Sequence, residues 1–125
     1  MNTTMTLSEA IRLGAMLLPQ GFGPNSMYSP TSSCALAAAA DAIGLDRTTS
    51  GRVYEDLKSR FPLLSQALSA GNGYPSDVRV VIDCIWNMND SHRFTREEIA
   101  DWVERMERGT DVSAQAPTSA VMVLA

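Results

Sequence analysis

Residues 94–109 read FTREEIADWVERMERG. Thr95 stands as the N-cap of a helix with Glu98 three positions on, so each side chain can close on the other's backbone amide as a capping box. Phe94 before the cap and Ile99 after it complete a hydrophobic staple. Ile99, Trp102, Val103 and Met106 then recur at i, i+3, i+4 and i+7, the spacing of one buried helical face. On the wet side, Asp101 precedes Arg105 and Glu104 precedes Arg108 at i, i+4, the favourable order for exposed ion pairs. Gly109 ends the helix. A self-capped helix with one oily stripe must pack on other helices, and its acidic groups are then structural rather than chemical.

Working back along the chain, residues 77–90, DVRVVIDCIWNMND, admit two readings. As a helix they place Val78, Val81, Ile82, Ile85 and Trp86 in one stripe. As a strand they alternate Val78, Val80, Ile82, Cys84 and Trp86 against Arg79, Val81, Asp83 and Ile85. The β-branched content suits a strand. No second clear strand exists to pair with it, and an isolated strand is not stable, so helix is the preferred reading. Residues 34–43, CALAAAADAI, carry a single charge, Asp41, among small side chains. That suits a central helix that others approach closely, capped by Ser32 or Ser33 and stopped by Gly44, with Leu45 as its apolar partner.

Thr6 and Glu9 form a second capping box at the start of a helix whose face holds Leu7, Ile11, Gly14 and Leu18, widened by Leu13 and Leu17. Gly14 leaves room for another backbone to come close, and Pro19 stops the helix. A third helix runs from about Ser50 to Arg60, with Val53, Leu57 and Phe61 on one face and Pro62 holding Phe61 out of the helical region. A short extra turn fits within 63–69. Residues 20–33 (QGFGPNSMYSPTSS) and 70–76 (AGNGYPS) are loops rich in turn formers. The expected fold class is mainly α: a compact bundle of about five helices around the central Ala-rich helix, with room for one short hairpin in 20–33. Residues 1–109 form a single helical domain, and 110–125 form a tail ending AVMVLA.

With 125 residues, 45% hydrophobic and 19% charged, the chain has enough apolar content for one domain with a core of its own. Its net charge of -4 argues against a nucleic-acid partner, which calls for a basic surface. A basic recognition helix is also missing. No apolar run approaches the length of a membrane span. Near the N-terminus no base precedes the apolar positions, and Glu9 and Arg12 interrupt them, so the segment reads as an amphipathic helix in a cytoplasmic protein rather than a signal peptide. Cys34 and Cys84 sit among apolar neighbours and read as reduced core residues. One histidine and two distant cysteines are too few for a closed zinc site, and no cofactor is expected.

Three constellations bear on chemistry. Asn87 to Glu98 fits a calcium-loop template in part, with oxygen donors at Asn87, Asn89, Ser91, Thr95 and Glu98. The position that needs glycine is His92, only Glu98 brings charge, and the capping box already accounts for it. Cys34 follows a Ser/Pro/Gly loop and leads a helix, where the helix dipole favours a thiolate. A thiol hydrolase would further need a base, and His92 is the one candidate. FTREEIADWV also looks like the first helix of a helix-turn-helix, yet no turn follows it closely. GFGP lacks the lysine and helix of a phosphate loop.

LSEAIRLGAMLLPQGFG with SCALAAAADAIG, and MNDSHRFTREEIADWVERME, resemble the layout of small uncharacterised bacterial proteins. Those carry an EAIRLGA helix, an Ala-rich CALGAA helix and an LND-x-H-x-WTRE-x-IADWV ending. The resemblance spans roughly half the chain and implies helical character and a bacterial cytoplasmic setting, with no activity attached. Some of these relatives carry a CxxC pair and a histidine before the LND segment. Here there is no CxxC and that position is Asn87, so their metal site does not carry over. The expected role is a non-catalytic protein-interaction module whose partner is another protein or itself. Its contact residues would be Phe22, Met27 and Tyr28 in the loop and Val121 to Leu124 in the tail.

Overall fold

The computed structural model describes residues 5–49, 51–68 and 79–109. Among the described residues, five α-helices carry the fold: α1 (Leu7–Ala15), α2 (Ala35–Ala42), α3 (Val53–Arg60), α4 (Val81–Asp90) and α5 (Arg96–Glu107). Two short 3-10 turns, Pro24–Met27 and Pro62–Ser65, connect them. Among the described residues, strand is limited to β1 (Ala67–Leu68) and β2 (Arg79–Val80), which pair antiparallel ahead of α4. The ambiguous segment is therefore helical from Val81, with Arg79–Val80 ahead of it used as strand. Among the described residues, no helix is long and apolar enough to cross a membrane.

α2 is the centre of the bundle. Its residues 35–40 are all buried, and α1, α3, α4 and the Pro24–Met27 turn pack against it. Gly44, with φ +79, closes the helix as expected: Leu45 N–H donates to Ala40 O at 3.0 Å, the hydrogen bond of a Schellman-type stop. The cap at the other end differs from expectation. Neither Ser32 nor Ser33 caps α2. Cys34 does, its Sγ accepting from Ala37 N–H at 3.4 Å, because Ser33 turns inward to Arg96.

α1 lies between α2 and α5. Its contact with α2 is a backbone approach made at Gly14. Its contact with α5 is antiparallel. Glu107 accepts from Ser8 N–H at the start of α1, and Arg96 donates to Ala15 O at its end. Between them Arg12 reaches Glu97, Asp101 and Glu104, so these acids face a base across the helix pair rather than water alone. Leu13 and Leu17 do not widen the buried face. They are 42% and 57% exposed, because α1 is gripped on two sides and they point to the third.

Both capping boxes form as read. Thr6 pairs with Glu9 and Thr95 with Glu98, each reciprocally. Phe94 and Ile99 are both buried behind the second box. Thr95→Ala is expected to lower stability by about 1 kcal/mol, the ordinary worth of such a cap. A urea melt would show it as a lower midpoint at unchanged slope.

Candidate functional site

The 20–33 loop and the C-terminal half of α4 build the most elaborate polar region of the molecule. No hairpin forms in the loop. Its ends are joined by a single parallel bridge, Gln20 to Ser33, with Ser33 N–H donating to Pro19 O and Gly21 N–H to Ser33 O, both at 2.9 Å. The Gly/Pro content favours a compact turn inside, and Pro24–Met27 takes it. The loop is fastened from within by three buried polar side chains. Asn89 Nδ2 donates to Gly21 O at 3.0 Å, and its Oδ1 accepts from Ala35 N–H and Gln20 Nε2. Arg47 forks onto Asp41 and donates to the carbonyls of Ser26 and Met27. Arg96 donates to Ser33 Oγ and to the Ser33 carbonyl. Among the described residues it meets no carboxylate, and burial pulls its pKa below the ordinary arginine value, with the nearby Cys34 opposing that shift.

These fastenings define a cleft lined by Gly23, Ser26, Cys34, Tyr54, Trp86 and Asp90. Its inner space is about 10 Å³, room for one water molecule. Tyr54 and Trp86 meet edge to face at its mouth, with centroids 5.8 Å apart. Burial, then the neighbouring Tyr28, raises the Tyr54 phenol well above its ordinary pKa. Outside the cleft, Trp86 and Asp90 also border a shallow depression of about 270 Å³ shared with Asp83, Asn87 and Ser91.

Cys34 lies at the floor of the cleft, 5% exposed. Burial pushes its thiol above the ordinary value of 9.0 despite the donors around it, and Asp90 pushes the same way. Its neighbours are Ala37 N–H and, at 4.0 Å, Met27 Sδ. His92 is elsewhere, stacked on Phe94 with centroids 5.4 Å apart. Among the described residues no base is joined to the thiol, and His92 does not meet it, so the Cys34–His92 pairing of the thiol-hydrolase reading is not assembled. The helix start that might have acidified the thiol is outweighed by desolvation. Native Cys34 is expected to react with iodoacetamide on the order of a hundredfold more slowly than in the urea-unfolded chain. The raised pKa also fixes a sign. The folded chain holds this proton more tightly, so Cys34 contributes stability below pH 9 that is lost as the pH rises further.

The calcium-loop reading comes apart in the same way. Asn89 faces inward and its oxygen is occupied, while Glu98 is bound to Thr95 N–H at 2.8 Å. Asn87 on α4 and Ser91 at its C-cap remain at the surface, so the candidate ligands do not converge. Among the described residues, no three His, Cys, Asp or Glu side chains are grouped to hold a metal ion.

The candidate contact residues divide three ways. Met27 is buried under Arg47 and Cys34 and is no surface residue, because its backbone and sulfur are both used to fasten the loop. Phe22 is partly exposed with the Arg93 guanidinium 4.2 Å from its ring centroid, and Tyr28 is exposed. Val121 and Leu124 lie outside the described residues. Trp86, placed in the apolar stripe by the helical reading, is 38% exposed. The buried face of α4 is Val81, Cys84, Ile85 and Met88, one position round from the expected stripe. Together with Tyr54, Asp83 and Asp90, Trp86 is the surface feature the sequence reading missed. Its available signal was the spacing Asp83, Trp86, Asp90 at i, i+3, i+7. No protein-family model, curated protein or solved structure matches this chain.

Proposed function

We propose that this protein is a non-catalytic interaction module that docks a protein partner on the aromatic face formed by Tyr28, Tyr54 and Trp86. The observation that carries this reading is the exposure of Tyr28 and Trp86 beside a cleft whose walls are fixed from behind. Aromatic side chains supply large contact area at low entropic cost, which makes them frequent anchors of interfaces. The buried hydrogen bonds of Asn89, Arg47 and Arg96 hold the loop in one conformation, so little ordering remains to be done on binding. Phe22 belongs to the neighbouring rim, with Arg93 covering its ring.

The test is photo-crosslinking in living cells, with benzoylphenylalanine placed at Tyr28 or Ser91 and, as a control, at the exposed Ser59 on α3. Discrete adducts from the first two positions and none from the control are expected. An adduct at twice the chain mass identifies self-association as the form the docking takes. Adducts from no position, or equal adducts from Ser59, overturn the proposal.

A further inference from the structure

We propose that the outer face of α4 receives an arginine side chain of an extended basic peptide, stacked on Trp86 and paired with Asp83 or Asp90. This rests on the interaction role proposed above and names the chemistry of the partner. Asp83, Trp86, Asn87 and Asp90 fall at i, i+3, i+4 and i+7 and together border the 270 Å³ depression, which is large enough for a side chain.

The electrostatics of this face are unusual for the molecule. Arg12 and Arg47 each meet acidic partners, and Glu104 pairs with Arg108 as well as Arg12. Asp83 and Asp90 form no salt bridge among the described residues. Asp83 is exposed and accepts no hydrogen bond there. Asp90 uses Oδ1 for Gly23 N–H and Asn89 Nδ2, leaving Oδ2 open. Arg93, three residues beyond Asp90 in the chain, is held over Phe22. Two carboxylates that meet no countercharge among the described residues thus flank a partly exposed indole whose ring is steadied by Tyr54. A cation over such a ring is attracted by its quadrupole, and arginine alone among side chains can stack its plane there while forking onto a carboxylate.

The spacing narrows the ligand further. Seven residues of α-helix separate the two carboxylates by about 10 Å along the axis. Three residues of polyproline II chain make one full turn, cover about 9 Å and bring the side chain back to the same face. A peptide with arginines at i and i+3 can therefore engage both acids, one of its guanidiniums lying on Trp86.

The experiment uses the full ¹⁵N-labelled chain. Its two tryptophan indole N–H signals separate the site from the core, because Trp102 is buried and its Nε1 has no hydrogen-bond partner. Trp86→Phe assigns the two signals. Titration with a capped eight-residue peptide bearing Arg-x-x-Arg should move the Trp86 signal and leave that of Trp102 in place. The same peptide with both arginines replaced by glutamine should move neither. Asp83→Asn should weaken binding about threefold and Asp83→Lys about tenfold, with both peptides compared at low salt. An equal response to the glutamine peptide, or full affinity in Asp83→Lys, overturns the assignment. If the arginine peptide moves neither indole while Tyr28 and Ser91 still crosslink a partner, arginine recognition fails and the docking role stands. If the peptide binds and no crosslink forms, the docking role fails on its own.

Discussion

Gly14→Ala is expected to destabilise the fold by about 3 kcal/mol or more, a loss that lowers the melting temperature by roughly 12 °C. The sign needs arguing, because alanine is the better helix former. In an exposed helix interior this exchange would stabilise by up to about 1 kcal/mol. Here the new Cβ would sit 1.8 Å from Ala38 O, 2.3 Å from Ala38 C and 2.7 Å from Ala38 Cα. All three are backbone atoms of the central helix, so no side chain can rotate aside. Relief requires α1 and α2 to part by more than 1 Å, roughly the shortfall from ordinary van der Waals contact. That movement cannot stay local. α1 is also tied to α5 through Arg12, Ser8 and Ala15, so separating α1 from α2 strains the opposite interface too. Gly44→Ala makes the control. Its φ of +79 costs about 1 kcal/mol for a side chain, yet nothing lies within 4 Å of the added carbon. Thermal melts should therefore rank Gly14→Ala well below Gly44→Ala. The reverse order would mean that the close crossing of α1 on α2 is wrong.

That crossing was readable in the sequence, and the reason is local. A glycine on the apolar face of one capped helix and a run of alanines in another both signal close packing without any knowledge of the partner. The same holds for Thr95 with Glu98 and Phe94 with Ile99, pairs that span only four and six residues. What could not be read depends on what lies opposite. Periodicity gave α4 an apolar stripe, but Cys84 and Met88 compete with Ile82 and Trp86 for the interior. The contest is decided by Asn89, the one α4 side chain that must meet Gln20, Gly21 and Ala35. With Asn89 at the edge of the buried face beside Cys84, Ile85 and Met88, Trp86 falls outside it, toward water. Arg96 follows the same logic. Sequence alone places the first residue of a capped helix at the surface, whereas here it is buried to meet Ser33 and Ala15. Both departures trace to the 20–33 loop, whose carbonyls are fixed by turns and leave no periodic trace. The arrangement of the docking face was thus hidden for the same reason as the loop's path.

Asn89→Ala is expected to cost about 3 kcal/mol, and Asn89→Asp to cost nearly as much at pH 7 but clearly less at pH 5. The asparagine spends every hydrogen-bonding position it has. Oδ1 accepts from Gln20 Nε2 at 2.9 Å and Ala35 N–H at 3.1 Å, while Nδ2 donates to Gly21 O at 3.0 Å and Asp90 Oδ1 at 2.8 Å. Alanine removes all four and strands the first amide of α2, which has no partner inside its own helix. Each buried group left unsatisfied costs about 1–3 kcal/mol, and some relaxation of the loop brings the sum down. Aspartate keeps the shape and both accepting bonds. It loses both donors, and turns a carboxylate oxygen toward the Gly21 carbonyl and the Asp90 carboxylate. Protonation restores one donor, so the folded variant binds that proton more tightly than the unfolded chain does. A group held in this way contributes stability at low pH that is lost as the pH rises through its folded-state pKa. Urea midpoints at the two pH values, each taken relative to the unsubstituted chain, read the effect directly. Asparagine and alanine variants that differ by a constant amount while the aspartate variant shows no such pH dependence would mean that Nδ2 does not face Gly21 and Asp90. In that case Asn89 would not fasten the loop to α4, and the aromatic face would lose the support that keeps Trp86 turned outward.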